Sequence, residues 1–332
     1  ATGLGPLFVS TSCGSCHAGD GRGHPFTSLT RFGQNDGTGN QFLDQGGPQL
    51  RHRALPGFTP EEVPAGATST RLLPPPNTGL GFLDAVPDAM ILALADPADL
   101  DGDGISGTPN WITTPAYITH RPAPVEQGGK RFGRKAAAYD LLQQTANAYN
   151  QDIGITSNYE PVDTYTGAIL DPEVSNSTVD QVVFYLLTLK APIQRDKDDP
   201  QVISGEQVFT AVGCAKCHTP ELVTGPSPIA PLANKTVRPY SDLLLHDMGS
   251  GLDDGYTEGS ALTSEWRTPP LWGLGLSSDS QGGSYFLLHD GRATTIEQAI
   301  EAHDGEGQAS RIAYQQLSTT DREALLRFLE SL

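Results

Sequence analysis

The chain is 332 residues long, enough for two hydrophobic cores of ordinary size, and its 37 glycines and 26 prolines predict long ordered loops between short helices. With 21 basic against 39 acidic side chains the formal net charge is −18, which argues against nucleic acid and anionic membrane surfaces as partners. No apolar run approaches the roughly 18 residues of a membrane span.

In chain order the first motif is Cys13-Gly-Ser-Cys16-His17, which returns as Cys214-Ala-Lys-Cys217-His218; these motifs use every cysteine present. Cys-x-x-Cys-His is the attachment sequence of c-type haem. Two thiols reach the two vinyl groups of one porphyrin, and the next residue turns its imidazole onto the iron. A redox dithiol or half of a zinc site needs no histidine at that place, and so few cysteines make a poor disulfide framework. Two covalently bound haem c groups are therefore expected, with His17 and His218 as proximal ligands. Such attachment takes place outside the bacterial cytoplasmic membrane, so the expected location is the periplasm. No basic-then-apolar segment opens the chain, which reads as a mature or trimmed form.

The surroundings of the two motifs match. Leu7-Phe8 precedes Cys13 as Val208-Phe209 precedes Cys214, and Arg71-Leu-Leu-Pro-Pro-Pro-Asn-Thr-Gly79-Leu-Gly81 is echoed by Arg267-Thr-Pro-Pro-Leu-Trp-Gly273-Leu-Gly275. The chain reads as two diverged copies of one haem-binding unit. Between them, Asp99-Leu-Asp101-Gly-Asp103-Gly-Ile105 has the first half of an EF-hand loop, with carboxylates at positions one, three and five and a carbonyl at seven. Calcium held by Asp99, Asp101, Asp103 and Ile105 is expected, closed differently from an EF-hand because position twelve is Asn110. Trp111 follows at once.

Apolar periodicity predicts helices over 133–152 and 178–189, and the charged stretch 195–200 reads as a linker. The boundary is placed at 197, giving an amino-terminal c-type haem domain with the calcium-loop insertion (1–197) and a carboxy-terminal c-type haem domain (198–332). Ser204 with Gln207, Thr294 with Glu297, and Ser318 with Asp321 read as capping boxes. In the helix opened by Thr294, Ile296, Ala299, Ile300 and His303 fall on one apolar stripe. The predicted fold class is mainly α: two cytochrome-c-like haem domains with long Gly/Pro-rich loops.

These motifs, with Phe132-Gly-Arg-Lys-Ala136, Leu243-Leu-Leu-His-Asp-Met-Gly249 and Leu288-His-Asp-Gly-Arg292, resemble the bacterial di-haem oxidoreductases related to di-haem cytochrome c peroxidase and the methylamine-utilisation di-haem enzyme. The resemblance runs over nearly the whole chain. The most similar branch is labelled thiol oxidoreductase, although here all four thiols are needed as thioethers. The resemblance implies one six-coordinate haem that stores electrons and one open haem for peroxide or oxygen. It places the sixth ligand of the carboxy-terminal haem where His303 stands, a methionine or tyrosine in the relatives; the residues themselves offer Met248 as the rival, since Met90, the other methionine, sits in an ordinary apolar stretch. It also implies a calcium between the haem domains.

For the amino-terminal haem no comparable distal residue is evident: His24 and His52 lie in Arg-rich polar loops, and His120 stands between Thr119 and Arg121-Pro122. His246 and His289 read as groups oriented by their neighbouring aspartates. His289, Asp290 and Trp111 are the catalytic candidates, Trp266 and Trp272 are relay or core residues, and Arg71, Arg267 and Arg292 are candidate clamps for haem propionates. The expected function is a periplasmic oxidoreductase of the peroxidase class, activating peroxide at the His17 haem and relaying electrons through the His218 haem. Its partner is an electron-donor protein such as a small cytochrome, or a protein substrate. The alternatives are a di-haem electron-transfer cytochrome without catalysis and a haem oxygenating enzyme.

Overall fold

The computed structural model describes residues 3–33, 40–119 and 131–332. Short helices are strung on long loops, and extended backbone appears only as small antiparallel ribbons. Leu7–Phe8 pairs with Arg53–Ala54, Leu29–Phe32 with Ser69–Leu72, Leu222–Val223 with Thr236–Val237, and Leu245–Asp247 with Glu265–Arg267. Among the described residues no helix is long and apolar enough to cross a membrane.

The helix predicted over 133–152 begins only at Leu141 and runs Leu141–Gln151. Upstream, Gly133 and Ala136 take positive φ (+83° and +51°) and Phe132 bridges to Ala138, so the chain makes a tight buried turn instead of a first helical half. Asp140 then caps the helix by accepting from Gln143 N at 2.8 Å. The next helix, Asn176–Thr188, is capped by Ser175.

The helix entering the second haem motif is Pro200–Ala211, capped by Asp199 with Pro200 in its first turn, so Ser204 lies inside it. Proline has no N–H to lose at that place, which makes Asp-Pro a better start than the Ser204/Gln207 pair. The stretch 195–200 is thereby tied down: Arg195 N donates to Ser331 O at 2.8 Å, and Arg327 pairs with Asp196 at 2.5 Å. Thr295, one residue later than expected, caps the helix Ile296–Glu301, while Thr294 N donates to the Gln298 side chain at 2.8 Å. Ser318 caps the last helix, Thr319–Ser331, as predicted.

Helices Pro200–Ala211 and Thr319–Ser331 cross at Gly205, where a Cβ would sit 2.0 Å from Ala324 O. Around that crossing Val202, Phe209, Leu274, Leu325, Phe328 and Leu329 form the carboxy-terminal core. Near the amino terminus Ile153, Ile155, Val174 and Val179 form another. A third takes Leu83, Val86, Phe132 and Leu141 from before residue 197 and Leu243, Leu244 and Trp272 from after it.

Candidate functional site

The second Cys-x-x-Cys-His motif opens on a cavity of about 1370 Å³, measured to its open mouth and lined mainly by apolar side chains including Phe209, Leu252, Leu287 and Ile300. His218 and His303 both line it. Their ring centres are 6.5 Å apart. Two imidazoles that each hold a nitrogen about 2 Å from a shared metal have their ring centres roughly 6 Å apart, so the gap suits one metal ion.

Both rings are fixed the same way. His218 Nδ1 meets Tyr240 O at 2.9 Å and His303 Nδ1 meets Ala299 O at 2.7 Å. A ring whose Nδ1–H donates to a carbonyl keeps Nε2 deprotonated and free to ligate. Burial keeps both rings neutral, lowering His218 to about 4 and His303 in the same direction. His303 lies just past the end of its short helix, where His303 N still donates to Ile300 O.

The thiols at this cavity fit attachment better than thiol chemistry. Burial raises Cys214 to about 12 and raises Cys217 as well, so neither is a ready thiolate. All four cysteines are unpaired. An apolar slot, two thiols at its edge and two facing neutral imidazoles accept a haem.

The first motif repeats part of this arrangement. Cys13–Cys16 form a single helical turn, and His17 Nδ1 meets Pro75 O at 2.9 Å, the counterpart of the Tyr240 carbonyl. Among the described residues no imidazole faces His17 as His303 faces His218. His24 accepts Phe26 N on Nδ1 at 3.2 Å and its ring contacts Phe26 and Phe286, while His52 is exposed. His120 lies outside the described residues. A second cavity, of about 1140 Å³ measured in the same way, lies between the loop after His17 and the segment around Trp272 and Ser277.

Met248 also lines the larger cavity, where it packs beside Leu72, Leu252 and Trp266. His246 lies buried between two carboxylates, with Asp242 at 2.8 Å and Glu306 at 2.6 Å. Burial opposes its protonation, but hydrogen bonds to Asp242, Cys217 and Glu306 outweigh it and hold His246 well above its ordinary value. His289 Nε2 donates to the Asp254 carboxylate at 2.9 Å, and the ring stacks on Trp266 with ring centres 3.7 Å apart. Lys135 Nζ covers the same indole 4.0 Å from its centre. Asp290 is engaged with Arg292 at 2.7 Å.

Of the predicted propionate clamps, Arg267 lines the larger cavity, buried. Arg71 is exposed and donates to Pro25 O, and Arg292 serves Asp290 and Gly251 O; neither lines a described cavity. Sequence reasoning missed Arg22 and Arg134, which line the larger cavity beside Arg267. Arg22 stands five residues after His17, and nothing local signals that its side chain reaches the other haem motif.

In the acidic loop the carboxylates of Asp96, Asp99 and Asp101 converge within 4.8 Å of one another. Asp103 instead pairs with Lys216 at 2.9 Å, a hydrogen bond that lowers its pKa. Ile105 lines the larger cavity, and Ser106 donates to Glu306 at 2.5 Å through its hydroxyl. Asn110 is fully buried and spends its amide on Lys135 O, Glu258 O and Ser260. Trp111 is 38% exposed and lines neither cavity.

Residues 68–332 match the protein family described as "Di-haem oxidoreductase, putative peroxidase". Among curated proteins none matches. Among solved structures, hydrazine synthase of Kuenenia stuttgartiensis is similar at 15% identity over 100% of this chain and 85% of its own, with a TM-score of 0.45.

Proposed function

Because the chain belongs to the di-haem oxidoreductase family, we propose that it is a periplasmic peroxidase-class enzyme whose two haems are bound covalently and divide the work. Cys13, Cys16 and His17 would hold one haem, and Cys214, Cys217, His218 and His303 would hold the other. When bound, haem supplies a redox-active iron whose reactivity depends on whether its sixth position is free. The observation that carries the reading is the asymmetry of the imidazoles. His303 faces His218 at 6.5 Å with its Nε2 available, and His17 has no such counterpart among the described residues.

The chain's own groups support each role. Tyr240 O and Pro75 O orient the proximal rings and increase their basicity. The His17 haem would supply the peroxide chemistry, and the electrons would come from a donor protein such as a small cytochrome, or from a side chain of a protein substrate. His289 and Asp254 lie in the interior beside Trp266, near the His218 cavity, and serve there as a hydrogen-bonded wall. Calcium is proposed at Asp96, Asp99 and Asp101, with Asp103 committed to Lys216.

The test is a resting-state EPR and optical spectrum of the holoprotein, followed by peroxide turnover with reduced cytochrome. One high-spin and one low-spin ferric haem, with turnover, is the expected result. Two low-spin haems unmoved by peroxide would make the protein an electron carrier.

A further inference from the structure

Three arginines meet where the two haem-binding halves touch. Arg22, Arg134 and Arg267 are each at least nine-tenths buried and all line the His218 cavity. Their hydrogen bonds go to neutral backbone oxygens: Arg134 donates Nε and Nη2 to Leu73 O at 2.9 and 2.6 Å, and Arg267 donates to Gly133 O and Thr268 O at 2.8 and 3.1 Å. The buried Nε of Arg22 has no hydrogen-bond partner.

A buried cation with no anion bonded to it is costly, and three together repel one another; Asp290 and Asp242 act on Arg134 and Arg267 only through space. Burial first, and then the charges of Arg22 and Arg267, push Arg134 well below its ordinary value against the pull of Asp290, and burial takes Arg22 to about 10. Such a cluster is made for a ligand that brings more than one negative charge. Guanidinium forks match carboxylates in pairs, and the cavity they line is the apolar slot of His218 and His303.

We propose that Arg22, Arg134 and Arg267 seat the two carboxylates of the haem held by His218, and that Arg22 makes this seat a joint between the haem units. Arg22 comes from the loop that follows His17, and it lines both cavities. That loop is pinned to the carboxy-terminal half by Ser280 Oγ on Arg22 O at 3.0 Å and by Gln281 Nε2 on Gly23 O at 2.8 Å. The haem of one half is therefore neutralised by two arginines of the other, Arg22 and Arg134. Arg22 acts as a positioning residue: its charge favours the reduced, less positive iron.

This inference rests on the proposed two-haem reading, and the experiment separates the two. Intact mass and haem content of the holoprotein are measured first, then a redox titration followed by EPR of the bis-imidazole signal for the parent, Arg22→Gln, Arg22→Lys and Arg134→Gln. At the poise where the parent's His218 haem is half reduced, Arg22→Gln should lower the reduced-to-oxidised ratio about tenfold, the effect of one buried charge removed at roughly 10 Å. Arg22→Lys should restore most of it, and Arg134→Gln should shift it in the same direction. Two attached haems with potentials unchanged in both glutamine variants would overturn the carboxylate seat. A parent protein with fewer than two haems would instead overturn the reading beneath it.

Discussion

At the scale of single residues, what matters is which nitrogen of a histidine is free. His218 and His303 each spend Nδ1 on a backbone carbonyl, which leaves Nε2 as the free nitrogen of two rings whose centres lie 6.5 Å apart. His303→Ala should therefore turn the His218 haem high-spin and leave the other haem's spectrum unchanged, and an unaltered low-spin signal would remove His303 from that role. The apolar stripe through Ile296, Ala299 and Ile300 pointed to this side chain because spacing along a helix is local information. Arg22 and Arg134 could not be found that way, since their positions are set by loops folding together from opposite halves of the chain. Buried His246 offers a pH test. Glu306 is held below its ordinary 4.5 despite burial, by hydrogen bonds from His246 and Ser106, so its contribution is present above pH 4.5 and is lost as pH falls through the lowered value. His246 is raised above 6.5, so its share is complete below 6.5 and fades only on the alkaline side. Glu306→Gln should cost about 3 kcal/mol near pH 6, the penalty for stripping a buried charge of a partner. Thermal melts across pH should show that difference shrinking below pH 4.5.

Among the elements, helix ends and crossings carry the lesson. Ser318 caps its helix where expected because nothing nearby competes, whereas Ser204/Gln207 lost to Asp199-Pro200, which satisfies the same N-terminal donors one turn earlier. The helix predicted from residue 133 begins at Leu141 because Gly133 and Ala136 are bent to positive φ, which puts Lys135 under Trp266. Hydrophobic spacing is blind to such a turn. Gly205→Ala tests the crossing: alanine gains about 1 kcal/mol in helix propensity. It also forces a methyl to within 2.0 Å of the Ala324 carbonyl, and overpacking of this kind costs about 2 kcal/mol. A lower melting temperature is expected, with exposed Gln207→Ala as a near-neutral control. In the acidic loop, Asp99→Ala should abolish calcium-dependent stabilisation while Asp103→Ala leaves most of it, because Asp103 already belongs to Lys216. Melting with and without chelator decides this, and equal losses would return Asp103 to the metal.

The whole molecule is acidic, with a formal net charge of −18, yet Arg22, Arg134 and Arg267 lie buried together. Two haem motifs and an internal echo were legible because covalent chemistry demands fixed spacing. How the two copies share side chains was not, since that depends on contacts between residues far apart in sequence. The core that unites Leu83, Val86, Phe132 and Leu141 with Leu243, Leu244 and Trp272 belongs to neither copy alone. A chain severed at residue 197 would leave each fragment with half an oily seam turned to water, so the fragments should clump when made separately and recover only when co-expressed. Calorimetry of the uncut protein should then register one heat-absorption peak, the mark of halves that melt together.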